Sequence, residues 1–155
     1  MKKILLAIVS LLLLACQREV VYSDFVSLPA AGWHSDSAVV FHIQPTDSLL
    51  SCQLVMTLRH TDAYDYQNLW MFVELLSDSL LLRRDTVNAI LADDQGQWLG
   101  SGLFLKQLPL VYLEDCYLPS DSCQLRIQHA MRTPNLRGIS DIGLKISKNT
   151  QDGKE

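Results

Sequence analysis

The sequence has no GxSxG nucleophile elbow, no HExxH helix signature, no phosphate-cradling glycine loop and no dinucleotide fingerprint. That removes the motif-based cases for a serine hydrolase, a zinc peptidase, a P-loop enzyme and a nucleotide-linked oxidoreductase. The four histidines, His34, His42, His60 and His129, stand singly, and His129 falls on an apolar strand face, the place of a core histidine rather than a ligand. Without a CxxC or a nearby Cys/His pairing, a structural zinc site has no support. The expectation is a non-enzymatic chain with no catalytic residue, metal or cofactor. Basic charge is also scarce: 13 Lys and Arg stand against 17 Asp and Glu, a net of −4. Nucleic acid and anionic lipid headgroups are therefore disfavoured as main partners. No internal repeat or low-complexity tract is present.

Long apolar runs are limited to one, at the start. MKKILLAIVSLLLLAC opens on Lys2 and Lys3, continues almost wholly apolar from Ile4 to Leu14, and stops at Ala15 and Cys16. This is a signal-peptide layout, shorter than the ~17 to 25 residues that span a bilayer. The ending Leu13-Leu14-Ala15-Cys16 resembles the bacterial lipobox, which makes Cys16 the expected lipid attachment site and residues 1–15 the cleaved signal. Removing Lys2 and Lys3 leaves 11 basic against 17 acidic residues, a net of −6. Several acyl chains, at about 0.8 kcal/mol per buried CH₂, hold a protein durably on a membrane. Gln17 supplies no Asp-type retention signal, which points to the outer membrane. Arg18 and Glu19 make only a weak case for export to the surface, so the periplasmic face is expected.

With Cys16 assigned to lipid, Cys52, Cys116 and Cys123 remain, an odd number for an oxidising compartment. Cys116 and Cys123 bracket YLPSDS, where Pro119, Ser120 and Asp121 read as a turn, so a disulfide closing a hairpin is one pairing. Cys52 and Cys123 both sit on apolar strand faces, as buried thiols or as partners of each other.

The rest of the chain has the period of β-structure. Cys52, Leu54, Met56 and Leu58 alternate with Gln53, Thr57 and Arg59. Leu125, Ile127, His129 and Met131 alternate with Gln124, Arg126, Gln128 and Arg132. Ile142, Leu144 and Ile146 alternate with Gly143, Lys145 and Ser147. Leu69 to Val73 is apolar on both parities and predicts a strand buried on both sides, or one in the middle of a sandwich under a loop, with Trp70 in the core. Further strands are predicted over 20–26, 38–43, 86–91 and 98–105. A helix over 78–88 is the weaker reading, because Thr86 and Val87 and the missing 3.6-residue period oppose it. About eight short strands separated by turn-forming clusters predict an all-β, two-sheet antiparallel sandwich of jelly-roll type over 20–148. It follows a tether over 16–19 and precedes a polar tail over 149–155.

DTVNAILADDQGQWLG places Asp93 and Asp94 side by side. A calcium loop spaces its carboxylates so that their oxygens converge on one ion, whereas neighbours in a turn diverge. Asp, Gln and Gly between apolar runs instead suit a hairpin turn, with Gly96 at positive φ. Trp33 after Gly32 and Trp98 after the DDQG turn are the candidates for an exposed stacking platform for sugar rings, although core packing is the more ordinary fate of tryptophan.

Taken in order, the lipobox, YSDF (Tyr22 to Phe25), NLWMFVEL (Asn68 to Leu75), DTVNAILADDQGQWLGSG (Asp85 to Gly102), IQHAMR (Ile127 to Arg132) and LRGISDIGLKI (Leu136 to Ile146) resemble the GldH family of gliding-motility lipoproteins of Bacteroidota. The resemblance implies a small outer-membrane-associated lipoprotein, needed by the gliding apparatus in gliding members and also present in relatives that do not glide, with Cys16 as lipid bearer and no catalytic residue to carry over. Two functions follow as expectations: an accessory that docks envelope or gliding-machinery proteins, and a membrane-tethered glycan-binding module. A face shared by Trp33 and Trp98 is the mark of the second. An exposed apolar patch or open sheet edge is the mark of the first.

Overall fold

The computed structural model describes residues 18–44, 51–119 and 122–149. The predicted signal segment, Cys16, Ser120, Asp121 and the end of the polar tail lie outside them. Among the described residues ten strands follow in order: β1 (Val20–Ser27), β2 (Trp33–His34), β3 (Val39–Ile43), β4 (Cys52–His60), β5 (Asn68–Ser77), β6 (Leu80–Ile90), β7 (Lys106–Cys116), β8 (Cys123–His129), β9 (Asn135–Leu136) and β10 (Ile139–Lys148).

Eight of them form two antiparallel four-stranded sheets with orders β1-β10-β4-β7 and β3-β8-β5-β6, while β2 and β9 make a small separate pair. The chain changes sheet at almost every long connection, and only β5 to β6 is a hairpin within one sheet. That strand order is the jelly-roll arrangement of two interleaved Greek keys, so the all-β sandwich expected from the period-two pattern is the fold.

Alternation decides which side chains meet between the sheets. Leu54, Met56 and Leu58 of β4 and Ile142, Leu144 and Ile146 of β10 face Met71, Val73 and Leu75 of β5 and Leu125 and Ile127 of β8, all buried. Each such side chain contributes roughly 1.5 to 3 kcal/mol by leaving water. On the outer face of the first sheet Phe25 lies over Gly143, where a Cβ would collide with the ring, and the Arg59 guanidinium stands 3.8 Å from the same ring's centroid.

Three expectations need correction. Residues 98–105 form no strand; only the isolated bridges Ala92 to Trp98 and Ser101 to Gln107 occur, and the strand follows at β7. Pro109 masks β7 in the sequence, yet an edge strand tolerates it because one of its sides needs no donor. β6 starts at Leu80 rather than Thr86, since Asp78 (φ 44°) and Ser79 (φ 73°) both take positive φ and make a two-residue turn between the paired Ser77 and Leu80. That hairpin also disposes of the helix over 78–88. The doubly apolar run in β5 is buried on one face only: Leu69, Met71 and Val73 are covered, while Trp70 and Phe72 are exposed.

Candidate docking site at the loop end

Strand register gives the sandwich two distinct ends. Val20 opposes Ser147, Lys148 opposes Cys52, and Cys52 opposes Cys116, so the described N-terminus and the cysteines share one end. His60 opposes both Ile139 and Lys106, placing the β4–β5, β6–β7 and β8–β10 connections at the other.

An aromatic cluster holds the loops of this second end together. The buried His60 ring meets Trp98 edge-on at 4.5 Å and Tyr64 at 6.0 Å, and Tyr64 meets Tyr66 at 5.7 Å. Tyr64 donates its hydroxyl to the Asn68 carbonyl at 2.8 Å, and burial raises its pKa. Burial likewise lowers the pKa of His60, whose Nδ1 lies 3.2 Å from the Thr61 carbonyl. Leu91 and Ala92 both donate backbone N–H groups to the Gln67 carbonyl, tying the β6–β7 connection to the β4–β5 loop.

Asp93 performs the turn role its sequence context suggested. Its Oδ1 accepts from the backbone N–H of Gln95 (3.0 Å) and Gln97 (2.8 Å), its carbonyl accepts from Gly96, and Gly96 has φ 79°. Among the described residues no group of three His, Cys, Asp or Glu side chains is placed to hold a metal ion.

Beyond this turn the connection projects apolar side chains outward. Leu103 is 77 % exposed and Phe104 83 %, with Leu99 half exposed nearby in sequence. Their loop is not slack. Lys106 Nζ donates to the carbonyls of Gly102 (2.8 Å) and Leu103 (3.2 Å), and Ser101 and Gln107 exchange both backbone hydrogen bonds at its base. Gly102 takes φ 125°, and a Cβ there would collide with the Leu105 carbonyl oxygen, so the turn demands glycine. Two large apolar side chains are thus held in water by a braced loop, an arrangement that costs solvation and suits contact with another surface.

A second apolar strip lies on the outer face of β5. Trp70 (42 % exposed) and Phe72 stand on that face, Tyr66, Trp70 and Met131 line a shallow groove beside it, and Met131 Sδ accepts from the Trp70 N–H at 3.3 Å. The expected sugar platform of Trp33 and Trp98 is not there. Trp33 is 1 % exposed, donates its indole N–H to the Ser37 carbonyl at 2.8 Å and packs edge-on against His129. His129 is the core histidine expected, its Nε2 3.1 Å from the Trp33 carbonyl. Trp98 is half-buried against His60. The two tryptophans share no exposed face because one belongs to the core and the other to the loop scaffold.

Cys116 and Cys123 do not close a hairpin: their connection carries the chain from the first sheet to the second, and Cys123 opposes Ile43 and Ser77. The sulfur against Cys116 is that of Cys52, at 2.7 Å. All three thiols are buried, and burial pushes Cys123 up to about 11.

The GldH lipoprotein family profile matches residues 20–146, nearly the whole described sandwich. The chain belongs to that family. It is 28 % identical over 152 residues to the "Gliding motility lipoprotein GldH" of Flavobacterium johnsoniae, covering 93 % of this chain and 94 % of the relative. It is 30 % identical over 143 residues to the "Gliding motility lipoprotein GldH homolog" of Christiangramia forsetii, covering 86 % and 87 %. Among solved structures, a family 35 carbohydrate-binding module from Clostridium thermocellum aligns over 79 % of this chain and 97 % of its own, at 10 % identity and a TM-score of 0.36. That level of likeness carries no functional argument, and the fold assignment rests on strand order instead.

The resemblance in YSDF through LRGISDIGLKI therefore identified the family correctly. The exposed loop residues escaped notice, although Leu103-Phe104-Leu105 enclosed by Gly102 and Lys106 is a signal that residue pattern alone could have supplied: three apolar residues in a glycine-bounded turn have no strand face to fill.

Proposed function

We propose that this GldH-family chain is a non-enzymatic accessory lipoprotein of the gliding-motility and cell-envelope machinery. Lipid on Cys16 holds it at the outer membrane, facing the periplasm, and it works by docking an envelope protein at the loop end of the sandwich. The observation that carries the docking half is the braced presentation of Leu103 and Phe104 at the end opposite Arg18. A tether leaving the N-terminal end turns the loop end away from the membrane and towards partners. The names of the two relatives support the cellular setting, and the net acidic charge argues for a protein partner rather than nucleic acid.

The test places a photo-crosslinking residue at position 103 of the full chain, expressed in a gliding relative lacking its own GldH. An adduct with another envelope protein, lost in Phe104→Asp along with gliding, is expected. Unchanged gliding in Phe104→Asp with no adduct in either form would overturn the docking. For the anchor, Cys16→Ser is expected to leave the membrane fraction on salt washing, and retention would rule lipid out as the main tether.

Trp70 and Phe72 favour a second reading, glycan binding on the outer face of β5, since aromatic side chains exposed beside a groove can stack on sugar rings. Saturable binding of a polysaccharide or peptidoglycan fragment that Trp70→Ala abolishes, with gliding intact in Phe104→Asp, would replace the first reading with this one.

A further inference from the structure

We infer that Cys52 and Cys116 form a structural disulfide that joins β4 to the edge strand β7, leaving Cys123 as a buried free thiol. The two residues are direct antiparallel partners. Such partners hold their Cα atoms about 4.5 to 5.5 Å apart, within the roughly 4.4 to 6.8 Å span a disulfide needs. Their sulfurs lie 2.7 Å apart, well inside the roughly 3.5 to 4.0 Å at which nonbonded carbon atoms, smaller than sulfur, pack best. Both side chains belong to the core at this end of the sandwich, Cys52 fully buried and Cys116 nearly so. Cys123 enters the same end from the opposite sheet, where Ile43 and Ser77 flank it.

The assignment rests on the exported, lipid-anchored reading, because an envelope compartment supplies the oxidant and lipid on Cys16 leaves three cysteines. Each thiol gives up one proton and one electron, the sulfurs bond, and the two electrons reduce a disulfide donor to two thiols. Burial means the exchange takes place before β7 closes over β4 during folding. The bond spans 64 residues of sequence, so it removes freedom mainly from the unfolded chain. It also pins the free edge of the first sheet at the end that bears the tether.

Two experiments separate this inference from the envelope reading. Full-length protein taken from cells is acid-quenched, alkylated under denaturing conditions and digested without reductant. Peptides containing Cys52 and Cys116 are expected as one linked species, with Cys123 alkylated, and Cys123→Ser is expected to keep the link. In parallel, reduced and unfolded protein is refolded in the presence of glutathione disulfide, where the same link is expected whatever compartment the cell uses. Alkylated Cys52 and Cys116 in this second arm, or a link from Cys116 to Cys123, would overturn the pairing. A link in vitro with reduced thiols in cells would instead place the fault in the envelope reading and overturn the bond as a feature of the native protein.

Discussion

Tyr112 on β7 donates its hydroxyl to Asp85 on β6 at 2.6 Å, and this hydrogen bond joins the free edges of the two sheets on the side opposite β1 and β3. Asp85 is held in turn by Arg83, whose Nε lies 2.5 Å from the same carboxylate oxygen. Tyr112→Phe removes the bond and keeps the ring, and is expected to lower stability by about 1 kcal/mol in urea unfolding. An unchanged midpoint would show that the edges are held by packing alone.

Acid should act on the same contact. The Arg83 hydrogen bond, foremost, with help from Tyr112, lowers the Asp85 pKa below its ordinary value. Its stabilising contribution is therefore complete above the unfolded pKa of about 3.9 and is lost as pH falls through the lower folded value. Asp85→Asn is expected to flatten that part of the acid-denaturation curve relative to the parent; superimposable curves below pH ~4 would refute the linkage.

Histidine burial predicts a second pH window. Desolvation lowers the pKa of both His60 and His129, with Lys106 and His34 adding smaller repulsions. The unfolded chain then binds protons more readily, so stability present above about pH 6.5 falls as pH drops towards the folded values. The guanidinium midpoint is expected to be lower at pH ~5.5 than at pH ~7.5, and less so in His129→Gln. A flat profile would mean that the imidazoles gain compensating partners on protonation.

At the loop end, Gly102→Ala should reshape the turn that displays Leu103 and Phe104, because its Cβ would meet the Leu105 carbonyl at positive φ. A strained non-glycine residue of this sort costs roughly 1 to 3 kcal/mol. Phe104→Asp, exposed and unsupported, should change stability by less than about 0.5 kcal/mol. The two variants are thus expected to share a docking defect while differing in thermal midpoint, and calorimetry beside the crosslinking assay reads both.

Much of the sandwich was legible because alternation in β4, β8 and β10 records a strand with one wet face. Leu54, Leu125 and Leu144 could be assigned to the core by parity alone, whereas the inward side of β5 could not. Trp70 and Phe72 are as apolar as Leu69 and Met71, so their exposure depends on what covers the outer face, which the sequence pattern does not encode. β7 was hidden by Pro109, an edge-only residue that looks like a breaker until the sheet order is known. Trp33 misled for a related reason. It follows a glycine in an apparent loop, yet pairing with Leu136 draws it inward. The Cys52 to Cys116 contact depends on register between strands far apart in sequence, and nearby Cys123 was the more visible partner.

The length of β7 sets a ruler. Ten steps of ~3.3 Å separate Cys116 from Lys106 by at most roughly 33 Å, and the two register shifts against β4 shorten that further. On the proposed anchor and docking contact, a partner at Phe104 must come within about that distance of the membrane surface, plus the few residues of tether. In that proposal the sandwich is a spacer, and lengthening the tether is expected to relax the reach without altering the contact itself.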